Sequence, residues 1–210
     1  MLQVKVWLGG EGASEIGDRD DRGERRGAIE ALLLRIEASG WRVAGATRWQ
    51  HIRKYKARAG IDVGENHGDI RNVLGLVLAA TEQACELVAF ARDRDADDER
   101  EKAVLLGIAK AKELYPQISV IGGMAKPALE GWILAMIGEA NTDDMSRART
   151  AQKLGERAIE AKSSEAYVAV VEEADLDKLP NGCDSLRDWI ELARTHLDAA
   201  IHGTVRDADD

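Results

Sequence analysis

The chain has 210 residues, a formal net charge of −9, and 45% hydrophobic and 32% charged residues. That composition excludes a disordered or collagen-like chain, and the acidic balance excludes a whole-surface electrostatic grip on nucleic acid. The longest strictly apolar run, residues 132–137 (WILAMI), falls far short of the ~20 residues of a membrane span, so no membrane association is expected.

Residues 3–8 (QVKVWL) place Val4, Val6 and Leu8 on one face at period two, which predicts a strand. Gly9, Gly10 and Gly12 then crowd together. A helix is expected over about 20–38, with Asp20, Asp21 and Glu24 in its first turns and Ile29, Leu32, Leu33 and Ile36 along its apolar face. Ser39-Gly40 ends it, and residues 41–49 read as a second strand.

Residues 50–68 are polar and irregular, and a helix follows over about 69–84. Residues 85–91 (CELVAFA) are nearly all apolar, as in a central parallel strand buried on both faces. An amphipathic helix is predicted over 97–114, stopped by Tyr115-Pro116. A fourth strand covers 117–121, and Pro127 suits the first position of a helix running to about 138. The last 70 residues read as helices over 143–162, 164–173 and 184–202, although AYVAVV within the middle one suits a strand equally well. Residues 205–210 are expected to be a frayed acidic tail.

This alternation predicts an α/β fold: a mostly parallel four-stranded sheet flanked by helices over residues 1–140, with a helical C-terminal extension over 141–210 packed on it. The first thirty residues carry no basic flank followed by an apolar core, so no secretory signal is expected. Cys85 and Cys183, 98 positions apart, make neither a disulfide framework nor a structural zinc site. A reducing cytoplasm is the expected location.

Three groups of carboxylates fall where a parallel sheet places its ligand, beyond the carboxyl ends of strands. Glu11 and Glu15 follow the first strand (GGEGASE). Asp93, Asp95 and Asp97 follow the third (ARDRDAD). Glu130 opens the helix after the fourth (KPALEGWILA). Each has a plainer reading. Glu11 suits a solvated turn, Asp97 suits a helix N-terminus, and Glu130 suits a salt bridge to Lys126 or Arg94. Clustered carboxylates need a cation, and an all-oxygen set suits Mg²⁺ or Mn²⁺ rather than zinc. Asp93 and Asp95 point the same way in an extended segment and can share one.

Other phosphate-handling motifs fit poorly. Gly10-x-Gly12 begins like a dinucleotide fingerprint, but Glu15 stands at the third glycine and like charges would face the pyrophosphate. No Gly-Lys-Ser/Thr follows the first strand, and there is no Gly-x-Ser-x-Gly elbow.

The strand leading to Glu11-Gly12, the later strand leading to Asp93-x-Asp95, and the βαβ order between them resemble the TOPRIM domain of topoisomerases, primases, maturase-type ribonucleases and OLD-family nucleases. Glu-Gly-x-x-Glu at 11–15, with Glu130 in Ala-Leu-Glu-x-Trp-Ile-Leu, looks closest to stand-alone and OLD-like TOPRIM nucleases, many of which serve bacterial anti-phage defence. The resemblance covers about residues 3–138. It implies a Mg²⁺-dependent (or Mn²⁺-dependent) nuclease in which Glu11, Asp93 and Asp95 are catalytic. Metal would be held by Glu11, Glu15, Asp93, Asp95, Asp97 and Glu130. The chain departs from the pattern after Asp95, where Ala96-Asp97 replaces glycine, leaving the assignment among Asp93, Asp95 and Asp97 open.

Between Glu37 and Asp62 there is no acid, while Arg48, Arg53, Lys54, Lys56 and Arg58 accumulate among Trp41, Trp49 and Tyr55. Cations interleaved with rings suit a nucleic-acid track of DNA or RNA; a solvated loop is the plainer reading. The chain holds no separate nucleic-acid-binding domain, so a partner ATPase or a second copy of the chain is expected to supply one. The alternative to a nuclease is a non-catalytic TOPRIM-like scaffold that binds a partner protein through its C-terminal helices in a defence or toxin–antitoxin system.

Overall fold

The computed structural model describes residues 3–20, 23–52, 68–95 and 97–206. In chain order it runs β1 (Val4–Gly10), α1 (Ala13–Ile16), β2 (Asp18–Asp20), β3 (Gly23–Arg25), α2 (Ala28–Ile36), β4 (Trp41–Arg48), α3 (Gly68–Glu82) and β5 (Leu87–Asp93). Then come α4 (Asp98–Leu114), β6 (Ser119–Ala125), α5 (Leu129–Met136), α6 (Arg147–Glu156), α7 (Ser164–Glu173) and α8 (Asp184–Arg206).

Among the described residues, four strands form an all-parallel sheet in the order β4-β1-β5-β6. The α/β class and the helical C-terminal third are as the sequence predicts. From β1 the chain moves outward to β4, then returns past β1 to β5 and on to β6. Right-handed crossovers therefore put α2 on one face and α3 and α4 on the other. The burial agrees. Val4, Val6 and Leu8 of β1 pack with Ile29, Leu32 and Leu33 of α2. Val88 and Phe90 of β5 pack with Val73, Leu76 and Val77 of α3 and Val104 of α4. The reversal lies between β1 and β5, and the crevice beyond their carboxyl ends is where such sheets take ligands.

The C-terminal helices complete the α2 face. Trp189 of α8 and Trp132 of α5 stack at 5.7 Å between ring centroids, both deeply buried. The Trp189 indole N–H donates to the Phe90 carbonyl of β5 at 3.0 Å. Tyr167 and Val171 bury α7 in the same core, and AYVAVV is helical. Among the described residues no helix is long and apolar enough to cross a membrane.

Three boundaries differ from the sequence reading. The helix expected from residue 20 starts at Ala28, and an antiparallel hairpin of β2 and β3 precedes it. Glycine explains the stop: Gly17 adopts φ 76°, and a Cβ there would sit 1.9 Å from the Arg25 carbonyl oxygen. The third and fourth parallel strands end at Asp93 and Ala125, so Asp93 is the last strand residue rather than the first loop residue. Pro127 lies ahead of α5 behind a cis peptide, and the helix begins at Leu129 with Ala128 as its N-cap. Both cysteines are free and buried.

Candidate functional site

The turn after β1 builds the first wall of the site. Residues 13–16 form one helical turn, and Glu15 at its third position reaches back to the start. Its Oε2 accepts hydrogen bonds from the Glu11 amide and, at 3.2 Å, from the Gly12 amide. Gly10 makes this possible, because a Cβ there would lie 2.7 Å from Glu15 Oε2. Glu15 is buried. Burial, followed by the nearby Asp93 carboxylate, pushes its pKa up to about 8.

The end of β5 builds the second wall. Asp93 Oδ1 accepts from the Leu129 amide at 2.9 Å, tying the strand to α5, and Oδ2 pairs with Arg147 of α6. Asp93 is also buried, and desolvation leads in raising its pKa to about 6 against the opposing Leu129 hydrogen bond. The loop beyond it is stitched to the next crossover. The Arg94 amide donates to Ala125 O and the Asp95 amide to Pro127 O, each at 3.1 Å. Asp95 takes the left-handed conformation (φ 56°), which aspartate tolerates better than most residues.

Glu130 lies in the first turn of α5, whose other residues are all buried. Its partner is neither Lys126 nor Arg94. Lys126 pairs with Glu101 at 2.7 Å and Arg94 with Asp98 at 3.7 Å. Glu130 Oε1 instead accepts from the Tyr167 hydroxyl of α7 at 3.2 Å, and that hydroxyl accepts from the Lys162 amide at 2.9 Å. Burial drives the Tyr167 phenol well above its usual range.

Glu11, Glu15, Asp93 and Glu130 thus line one cavity of about 360 Å³, with Arg147 and Lys162 as its cationic walls. Asp95 and Asp97 are not in that lining. Asp95 is gripped by Arg147 at 2.6 Å and Arg100 at 2.5 Å. Asp97 is the N-cap of α4, accepting from the Arg100 amide at 3.0 Å. Next to the cavity lies a second set of charges. Arg92, nearly buried, pairs with Glu11 and with Asp69 of α3 at 3.3 Å, and its guanidinium lies 5.3 Å from the Trp49 ring centre. Trp49 in turn donates to Asp69 at 2.9 Å. Among the described residues no three His, Cys, Asp or Glu side chains are drawn together as a metal-holding group.

The arginines and Tyr167 carried no sequence signal for these roles. Arg147 heads a polar helix that reads as a solvated face, and nothing in its spacing singles out Asp93, 54 residues earlier. Of the basic stretch, Arg48 ends β4 on the same rim and pairs with Asp18 at 2.8 Å. Arg53, Lys54, Lys56 and Arg58 lie outside the described residues. No protein-family model, curated protein or solved structure matches the chain.

Proposed function

We propose that the chain is a Mg²⁺- or Mn²⁺-dependent phosphodiester hydrolase of TOPRIM type, acting on nucleic acid at the cavity between β1 and β5. The observation that carries this reading is the convergence of Glu15, Asp93 and Glu130 on one cavity, where burial first, and neighbouring carboxylates after it, raise the pKa of Glu15 and of Asp93. A divalent cation in the cavity would favour the ionised Glu15 and Asp93 carboxylates that burial disfavours. The donors are all carboxylate oxygens, which fit a hard divalent ion. Glu15 and Glu130 each keep one oxygen without a hydrogen-bond partner among the described residues, while the other oxygen is fixed by amides or by Tyr167.

A bound divalent cation would supply charge stabilisation of the phosphate and a water acidic enough to attack it. The chain's own groups do the rest. Glu15, Asp93 and Glu130 hold the ion, and Glu11 at the cavity wall accepts the proton of the attacking water. Arg147 currently neutralises Asp93 and Asp95. Its side chain is 52% exposed, so it is free to swing from the carboxylates to a substrate phosphate. Lys162 adds a second cation to that wall.

The scaffold reading has its own support. Arginines already compensate Glu11, Asp93 and Asp95, so the rim is electrostatically complete without an ion. One substitution separates the two readings. Asp93→Asn deletes a charge at nearly constant shape. A nuclease should lose at least about two orders of magnitude of Mg²⁺-dependent cleavage of DNA or RNA, the scale expected on removing a preorganised charge. The Tm rise that Mg²⁺ or Mn²⁺ gives the wild type should also shrink. If the wild type cleaves neither DNA nor RNA and gains no Tm with either ion, the scaffold reading stands.

A further inference from the structure

A second cavity, of about 410 Å³, lies at the other end of the sheet and serves no role in the site above. It runs along β6, which among the described residues pairs with no strand other than β5. The direction of its backbone groups follows from two hydrogen bonds. The Ser119 amide donates to Glu86 O at 2.9 Å, and Ala125 O accepts from the Arg94 amide at 3.1 Å. Both bonds point toward β5. In a parallel ladder alternate residues face alternate neighbours, so Ser119, Ile121, Gly123 and Ala125 face β5. Gly122 and Met124 then turn their N–H and C=O groups into the cavity, whereas Val120, which faces the same way, is only 1% exposed and closed to it. Gly122, Gly123 and Met124 form the floor of the cavity.

The two walls differ in chemistry. On the α4 side stands Leu105, which is 55% exposed, a conspicuous apolar side chain in a molecule that buries nearly all its others. On the opposite side Asp143, Asp144, Asp184 and Asp188 converge, while Glu101 stands beside Leu105 on α4. Arg94 and Lys126 are the opposing cations, and Lys126 is already held by Glu101. Asp144 and Asp188 are exposed and make no ion pair among the described residues.

We infer that the β6 edge is a docking site for an extended, basic segment of a partner protein, which adds to the sheet as a fifth parallel-sheet neighbour. Unpaired edge groups bond the backbone of such a segment, and the walls select its side chains. Successive side chains of a strand alternate in direction. One row therefore meets Leu105 and suits valine or isoleucine, while the other meets Asp144 and Asp188 and suits lysine or arginine. The same charge pattern selects against a second copy of this chain, because pairing two β6 edges would bring the two acidic walls together. Arg94 of this groove follows directly in sequence on Asp93 of the candidate site.

The test uses fluorescein-labelled peptides read by anisotropy with the full chain. An alternating Lys-Val heptapeptide should bind, and a Glu-Val counterpart should bind at least about tenfold more weakly. Asp144→Lys combined with Asp188→Lys should weaken the Lys-Val peptide by about tenfold or more, while circular dichroism stays at wild type, because both positions are exposed. Two isomers of that peptide, N-methylated at odd or at even residues, separate strand addition from mere charge attraction. An added strand directs alternate amides to opposite edges, so one isomer should lose binding and the other keep it. Hydrogen exchange over residues 119–125 should slow with the peptide. Equal binding of both isomers, or unchanged exchange over 119–125, would overturn the proposal. So would a sedimenting dimer whose own 119–125 amides are protected, which assigns the edge to a second copy.

Discussion

The acidic rim has two halves that differ in how their charge is answered. Toward α3 and α4, Glu11, Asp69 and Asp95 are matched by Arg92 and Arg100, and the Trp49 ring closes over the set. Toward α5 and α7, Glu15, Asp93 and Glu130 meet backbone amides, a tyrosine hydroxyl and one half-exposed arginine. The residue type is nearly the same in both halves, and in the second burial pushes the Glu15 and Asp93 carboxyls far upward. Compensation, more than carboxylate count, decides which part of such a rim has affinity left for a ligand.

Removing the compensation should make the first half behave like the second. Arg92→Leu leaves Glu11 without its cation, while Asp69 keeps Arg100 at 3.6 Å, and should cost about 3–5 kcal/mol, measured as a fall in the urea midpoint at neutral pH. Acid should restore part of that loss, because protonation removes the unpaired charges. Arg147→Leu is the control. Its side chain is half exposed and Asp93 keeps the Leu129 amide, so the cost should stay below that of Arg92→Leu, at about 1–2 kcal/mol. Equal costs for the two variants would erase the distinction between the halves.

The second half should betray itself through pH. The folded pKa of Glu15, about 8, lies above its ordinary value of 4.5, so the folded state favours the protonated form. Stability from this group is complete below about pH 4.5 and falls away as pH rises toward 8. Asp93 adds a loss between its ordinary 3.8 and about 6. In chelator-treated buffer the wild type should lose roughly 2–3 kcal/mol from Glu15 between pH 6 and 8. Glu15→Gln should flatten that segment of the profile and leave, below pH 6, only the part of the fall that belongs to Asp93. A wild-type profile flat from pH 6 to 8 would show that Glu15 ionises normally and that this half is no more strained than the other.

The contrast between the halves also marks what could be read from sequence. Strand β1, helices α3 and α4, and the buried run of β5 were legible because period and apolar content report burial directly. Glu11, Glu15, Asp93 and Glu130 were legible as one rim because parallel topology fixes where strands end. The hairpin of β2 and β3 was not, since DRDDRGER has no apolar alternation to mark its strands. Nor were the arginine pairings. Arg92, Arg100 and Arg147 sit among many similar cations, and which carboxylate each meets is set by tertiary packing. Tyr167 was hidden for the same reason, inside a segment whose helix-or-strand character was itself ambiguous.

Tyr167 allows the finest cut between the two halves, because it answers a carboxylate without a charge. Its hydroxyl donates to Glu130 and accepts from the Lys162 amide, while its ring is fully buried. Tyr167→Phe keeps the ring and removes only the two hydrogen bonds, at a cost of about 1–2 kcal/mol. A hydrogen bond from an uncharged hydroxyl is less screened by salt than an ion pair, so the costs in 0.1 and 1 M NaCl should agree to within about a few tenths of a kcal/mol. The Arg92→Leu cost, which contains an ion-pair component, should shrink over the same range. The variant also frees Glu130 to rotate, so the Tm rise produced by Mg²⁺ should fall if Glu130 helps to hold the ion. An unchanged Mg²⁺ response with the same loss of stability would make Tyr167 and Glu130 a structural pair, and would confine cation binding to Glu15 and Asp93.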